Sequence, residues 1–147
     1  MGLPRAVSLR PDVPWNVPAL EEILTVPLLA CAFFAVLFLQ SGIDKITDRQ
    51  GNLDWMTPHF EKSPFRGKVP FFLTLLTLLE VATGLACLGG VADRLFSLSL
   101  SLPFYGLALA ALTLVALFAG QRLAKDYAGA ASLAAYFAVA LIGLALR

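Results

Sequence analysis

A chain of 147 residues that is 59% hydrophobic and 14% charged, with a mean hydropathy of +0.79, has the composition of an integral membrane protein and not of a water-soluble domain. Eleven Lys and Arg stand against ten Asp and Glu, so a formal net charge of +1 points to neither nucleic acid nor an acidic partner. One His and two separated Cys are too few for a haem, an iron–sulfur cluster or a metal cage, and no glycine-rich nucleotide loop is present.

The first 22 residues contain Pro4, Pro11, Pro14 and Pro18 and are expected to form an irregular tail, with Trp15 at headgroup level. Polar, Pro-rich sequence before Glu21 and Glu22 is not a cleavable signal, and Gly2 lacks the downstream Ser or Thr of a myristoylation site. Span one, residues 23–41, is therefore expected to be retained, with Pro27 in its first turns, where a missing donor matters least. Cys31 within it and Cys87 in the next span read as inert buried thiols, a disulfide between them being left open. Residues 42–68 mix charges, Asp44 and Lys45 among them, with Leu53, Trp55, Met56, Phe60 and Phe65. That composition suits a docked loop or a segment lying on the membrane surface. His59 falls in it and is assigned a structural role.

Span two, residues 69–90, carries no Lys, Arg or Asp and a single acid, Glu80, at its middle. About ten residues from either end, at about 1.5 Å each, the carboxyl lies roughly 15 Å deep in a core about 30 Å thick. An acid there costs about 2.5 kcal/mol or more unless protonated, paired or facing a polar cavity, which makes it the first candidate for function. At 100° per residue Thr77, Glu80, Thr83, Gly84 and Cys87 share a sector of about 120°, and that sector is expected to face the other helices.

A short turn at residues 91–94 is expected to return the chain into span three, residues 95–119. Ser97, Ser101 and Tyr105 follow at four-residue spacing, and Tyr105 then reaches the depth of Glu80, as its preferred partner. Pro103 is expected to kink this span near Ser99. The polar stretch 120–131 holds Gln121, Arg122, Lys125, Asp126 and Tyr127 and reads as the cap of a helical hairpin, with Arg122 and Asp126 able to pair. Span four, residues 128–146, is rich in small residues and is expected to pack on its neighbours through Ala131, Ala135 and Gly143; Tyr136 is a second candidate partner for Glu80. The fold class expected is an all-α antiparallel bundle of four transmembrane helices. Seven Lys and Arg in the first and third connections against four at the tail, second turn and C-terminus place residues 42–68 and 120–128 in the cytoplasm.

Four features in order resemble the DoxX family of small bacterial membrane proteins: Ser41 to Lys45, Glu80 with Gly84, the Gly-rich end of span two, and residues 120–131. The chain departs from that pattern where Glu21 and Glu22 stand in place of a basic residue before span one. The resemblance implies a four-helix bundle in a bacterial cytoplasmic membrane and a link to membrane redox systems, including thiosulfate to quinone oxidoreduction and the handling of oxidative stress. Three functions are compatible with these residues. The first is an accessory subunit stabilising a respiratory or photosynthetic electron-transfer complex, in contact with lipid and other subunits. The second is a quinone-binding subunit of a membrane oxidoreductase, with Glu80 relaying protons and Tyr105, Tyr136 or Lys45 contacting the quinone. The third is a small proton-coupled transporter. Quinone is the one cofactor left open, and no metal site is expected.

Overall fold

In the computed structural model, residues 25–96 and 101–146 are described; the Pro-rich tail, Trp15, Glu21, Glu22, Ser97, Ser99 and Arg147 lie outside the described residues. Among the described residues five helices follow one another: α1 (Val26–Thr47), α2 (Arg49–His59), α3 (Val69–Phe96), α4 (Leu102–Ala124) and α5 (Tyr127–Ala145). All but α2 are long and apolar enough to cross a membrane, with mean hydropathies of 1.9 to 2.1 over their most apolar stretches. The protein is an all-α, multi-pass membrane protein built as a four-helix bundle.

Side-chain register shows that successive long helices are antiparallel. Gly42 lies against Val81 and Gly84 against Leu39, so α1 descends as α3 rises. Gly90 meets Pro103 and Gly106 meets Cys87 between α3 and α4, and Gly143 meets Leu107 between α4 and α5. The α1 to α3 pairing is the most extensive in the bundle. Glycine at these positions lets backbones approach closely, which is how helices associate where lipid removes the hydrophobic driving force between them.

Several boundaries differ from expectation, each for a local reason. Helix α1 runs six residues past Ser41, because Lys45 in its last turn complements the helix dipole. Asp48 then closes α1 with its N–H on Asp44 O and opens α2 by accepting from Gly51 N at 3.0 Å. The connection 42–68 is thus largely helical, and Met56 and Phe60 are buried with Val69 and Leu73 against the start of α3. Gly67, at φ +74°, makes the turn into α3.

Residues 91–94, expected as a turn, are the last turns of α3. Asp93 is buried and accepts from Leu102 N at 3.2 Å, so the reversal falls after Phe96. Pro103 sits in the first turn of α4, where its missing N–H costs nothing, and so the expected kink has no helical ladder to break. Lys125, at φ 63°, ends α4, Asp126 N donates to Gln121 O at 2.9 Å, and the Asp126 carboxylate caps α5 through Gly129 N at 2.9 Å. Arg122, expected beside Asp126, instead lies over the Tyr127 ring at 4.7 Å.

Candidate functional site

All five residues of the polar sector of α3, Thr77, Glu80, Thr83, Gly84 and Cys87, are buried, while Phe71, Leu75 and Leu78 on the other side are exposed. Glu80, 2% exposed, is the one buried acid in the middle of a span. Its partner comes from α1. Ser41 and Lys45 are four residues apart and so lie one above the other on one helix face. Lys45 Nζ donates to Ser41 Oγ at 2.7 Å and to Ser41 O at 3.3 Å; Ser41 Oγ donates to Glu80 Oε1 at 3.1 Å. Lys45 Nζ also lies 2.9 Å from Glu80 Oε2, closing a ring of three side chains. The ring solves the cost of an intramembrane acid by pairing it.

This ring forms part of the wall of a cavity of about 500 Å³ bounded by α1, α2, α3, α4 and α5. Most of the lining is apolar, Phe38, Leu76 and Leu117 being representative. Trp55 and Leu75, 59% and 51% exposed, also border it, so the cavity meets the lipid-facing surface. A mostly apolar cleft of this size with a few convergent polar groups is the usual form of a small-molecule site.

Helix α2 covers the cavity at its membrane-surface end. His59 Nε2 meets Gln121 Oε1 at 3.3 Å and lies 3.8 Å from Asp126 Oδ2, and its ring stacks on Trp55 at 4.6 Å between centroids. At the other end of α2, Arg49 donates to Thr74 Oγ1 at 2.8 Å and to Pro70 O at 3.3 Å. His59 thus joins α2 to the α4–α5 hairpin, through two members of the polar cluster singled out in the sequence, Gln121 and Asp126. Lys125, another member of that cluster, is exposed and serves as the left-handed cap of α4.

The structure brings Glu80, Lys45, Gln121 and Tyr136 to one cavity. Tyr136 is half-buried, its ring 5.7 Å from that of Phe33. Tyr105 is not among them. It is 62% exposed, packed on the Phe104 ring at 5.3 Å, and Glu80 is partnered by Lys45 and Ser41 instead. The reason is register: the hydroxyls of Thr83 and Thr113 meet at 2.7 Å and Cys87 donates to Gly106 O at 3.3 Å, so Tyr105 sits near the level of Cys87. Seven residues separate that level from Glu80, or about 10 Å along a helix. Ser41 was missed as a site residue; its i, i+4 spacing to Lys45 was the available signal. Cys31 and Cys87 are free, fully buried thiols, directed at the Pro103 and Gly106 carbonyls of one turn of α4.

Among the described residues no group of three or more His, Cys, Asp and Glu is placed to hold a metal ion. Comparison with known protein families, with curated proteins and with solved structures returned no match to this chain.

Proposed function

We propose that the protein is a subunit of a membrane oxidoreductase that binds a quinone-like amphiphile in the cavity beside Lys45, Ser41 and Glu80. One observation carries the reading: a neutral, buried ion pair forms part of the wall of an apolar cavity that meets the lipid-facing surface. An amphiphile with a polar ring and an apolar chain matches that division, its head at the ring of side chains and its tail leaving past Leu75. Quinone reduction and quinol oxidation move protons with electrons, and a carboxylate held beside an ammonium is a proton-exchanging group at the place required. The DoxX-like features of the sequence agree with this assignment. On it the membrane is a bacterial cytoplasmic membrane, with α2 and the α4–α5 turn on the cytoplasmic side, where Lys62, Arg66, Lys68 and Lys125 are exposed.

An accessory role in a larger complex is favoured by a separate observation on α5. Ala128, Ala131, Ala135 and Ala138 lie on one stripe, and all four are exposed, whereas Ala130, Ala140 and Gly143 face the bundle. The expectation that Ala131 and Ala135 pack within the chain is thereby corrected, and the stripe is free for another transmembrane helix. Both readings meet in a quinone-binding subunit that docks through α5.

Purification from native membranes in mild detergent tests them together. Solvent extraction of the purified band should release a stoichiometric quinone, and mass spectrometry should find cytochrome or flavoprotein subunits at fixed ratio. A colourless homo-oligomer with no extractable quinone would reject both.

A further inference from the structure

We infer that the pair formed by Lys45 and Glu80 filters ligands by charge: the cavity takes an amphiphile with an uncharged head and turns away anionic ones, and Glu80 is the residue that sets this preference. The inference rests on the amphiphile-binding reading above.

An apolar cleft with a lone lysine on its wall suits an anionic amphiphile, because an ammonium and a carboxylate, sulfate or phosphate head form charge-assisted hydrogen bonds out of reach of water. This cavity has the lysine. Of the described side chains that line it, Lys45 and Glu80 alone are charged; the other polar ones, Ser41, Asn52, Trp55, Gln121 and Tyr136, are not. The wall therefore carries a cation and no net charge. Lys45 Nζ lies 2.9 Å from Glu80 Oε2, 2.7 Å from Ser41 Oγ and 3.3 Å from Ser41 O. Three oxygens of the protein thus surround an ammonium that has three N–H groups.

The Lys45 side chain is 13% exposed and that of Glu80 3%, so the ammonium is the member of the pair within a ligand's reach. A ligand anion arriving there meets a cation already answered. It becomes a third charge among Phe38, Leu76 and Leu117, sharing one ammonium with a carboxylate. Burying a charge without a partner of its own costs far more than burying an uncharged polar group. A quinone-like head gives up only hydrogen bonds of ordinary strength. The opening does not make this distinction: it meets the lipid-facing surface past Trp55 and Leu75, where single-chain amphiphiles of either kind dissolve in the bilayer. The pair does.

The test is calorimetric titration of the purified full-length protein in phosphatidylcholine nanodiscs with two probes, a decyl-substituted benzoquinone and decyl sulfate, each kept at bilayer mole fractions that leave the discs intact. On wild type, decyl sulfate should bind about tenfold or more weaker than the quinone, the discrimination expected of one charged contact left without its partner. Glu80→Gln releases the Lys45 charge, and decyl sulfate should then bind about tenfold or more tighter than it does to wild type. In Lys45→Gln/Glu80→Gln, where no cation is left, that gain should vanish. The wild-type comparison needs no variant and decides the exclusion even where Glu80→Gln fails to fold. Decyl sulfate binding to wild type as tightly as the quinone overturns the filter and leaves the amphiphile site standing. No gain in folded Glu80→Gln, or a gain that persists in the double variant, overturns the assignment of the filter to this pair. Failure of both probes on wild type and variants alike overturns the amphiphile reading itself.

Discussion

Replacing Gly84 by Ala puts a methyl group where α1 and α3 come closest. The new Cβ would lie 2.6 Å from Leu39 Cγ and 2.9 Å from Leu39 N. The side chain can turn aside, but the backbone nitrogen moves only with the helix. Restoring ordinary contact, from 2.9 to 3.4 Å, separates α1 from α3 locally by half an ångström. A gap of about that size forfeits roughly a quarter of each dispersion contact, and a buried Leu makes about 40–60 contacts of about 0.1–0.2 kcal/mol. The loss around one such side chain is then about 1–3 kcal/mol, which agrees with the usual cost of overpacking. Against it stands the helical preference of Ala over Gly, about 0.5–1 kcal/mol. Gly84→Ala should therefore destabilise by about 1–2 kcal/mol, combining these ranges.

Gly120 supplies the internal control, because a Cβ there meets nothing within 4 Å and its φ is not in the left-handed range. Gly120→Ala gains the helical term alone, so the two variants should differ by about 2 kcal/mol, with opposite signs relative to wild type. Unfolding in mixed micelles, followed by far-ultraviolet circular dichroism, measures both. Gly84→Ala as stable as wild type, or Gly120→Ala as unstable as Gly84→Ala, would refute the close-approach account of the α1 to α3 pairing.

Lys45→Met and Glu80→Leu should each cost about 3 kcal/mol by leaving one buried partner without the other, while the double variant recovers most of the loss. A double-mutant cycle on the same unfolding assay decides it, since additive losses would mean the two side chains are not coupled. Asp126→Ala removes the cap on Gly129 N and should cost about 1 kcal/mol, whereas Asp126→Asn keeps the capping oxygen and should stay near wild type. Equal losses in the two would point to the charge facing His59 instead. Thr83→Val and Thr113→Val should each cost about 0.6 kcal/mol, since both hydroxyls also lie within 2.9 Å of the carbonyl four residues back. If the Thr83 to Thr113 contact carries that cost, the double variant should lose little more than either single one.

The sequence made the inward face of α3 legible because its polar residues recur with helical period, and Glu80 legible because an acid in hydrocarbon must be answered by something. Lys45 was legible as a candidate too. Its pairing with Glu80 was not, because it depends on α1 continuing beyond Ser41 into residues whose charges read as a loop. The error over Tyr105 has the same origin. Depth counted from a helix assumed to begin at Leu95 goes wrong when α3 continues through Phe96 and α4 begins at Leu102. Apolar periodicity fixes which side of a helix faces inward far better than where the helix stops, and cross-helix pairing needs both. Small residues on α5 show that a neighbour can come close, not which face has one. Ala130 and Ala140 found it within the chain, while Ala131 and Ala135 did not.

The position of the cavity follows from where the bundle is pinned. At one end Gly90 lies against Pro103, Gly106 against Cys87, and Gly143 against Ala30 and Leu107, so α3, α4, α5 and α1 are drawn together there by residues without side-chain bulk. The Thr83 and Thr113 hydroxyls tie α3 to α4 just beyond. Past that level no glycine brings α3 to α4; the facing residues include Phe72, Leu76 and Leu117, and a Cβ on Gly120 would meet nothing. Long helices cannot bend sharply without a break in their hydrogen-bond ladder, so two of them pinned at one end and spaced by large side chains at the other must diverge. The divergence is filled in part by Met56 and Phe60 beneath α2, and what remains is the cavity. Enlarging the pinned end therefore acts at a distance. Gly106→Ala, whose Cβ would lie 3.0 Å from Ala86 O and Cys87 Cα, should push α3 from α4 and loosen the site some 10 Å away along the helix without touching a lining residue. Weaker binding of a decyl-substituted benzoquinone would be the signature, because the cavity would change its fit while the ring of Lys45, Ser41 and Glu80 kept its chemistry. Unchanged binding would mean that the cavity is shaped by α1 and α3 alone and not by the α3 to α4 spacing.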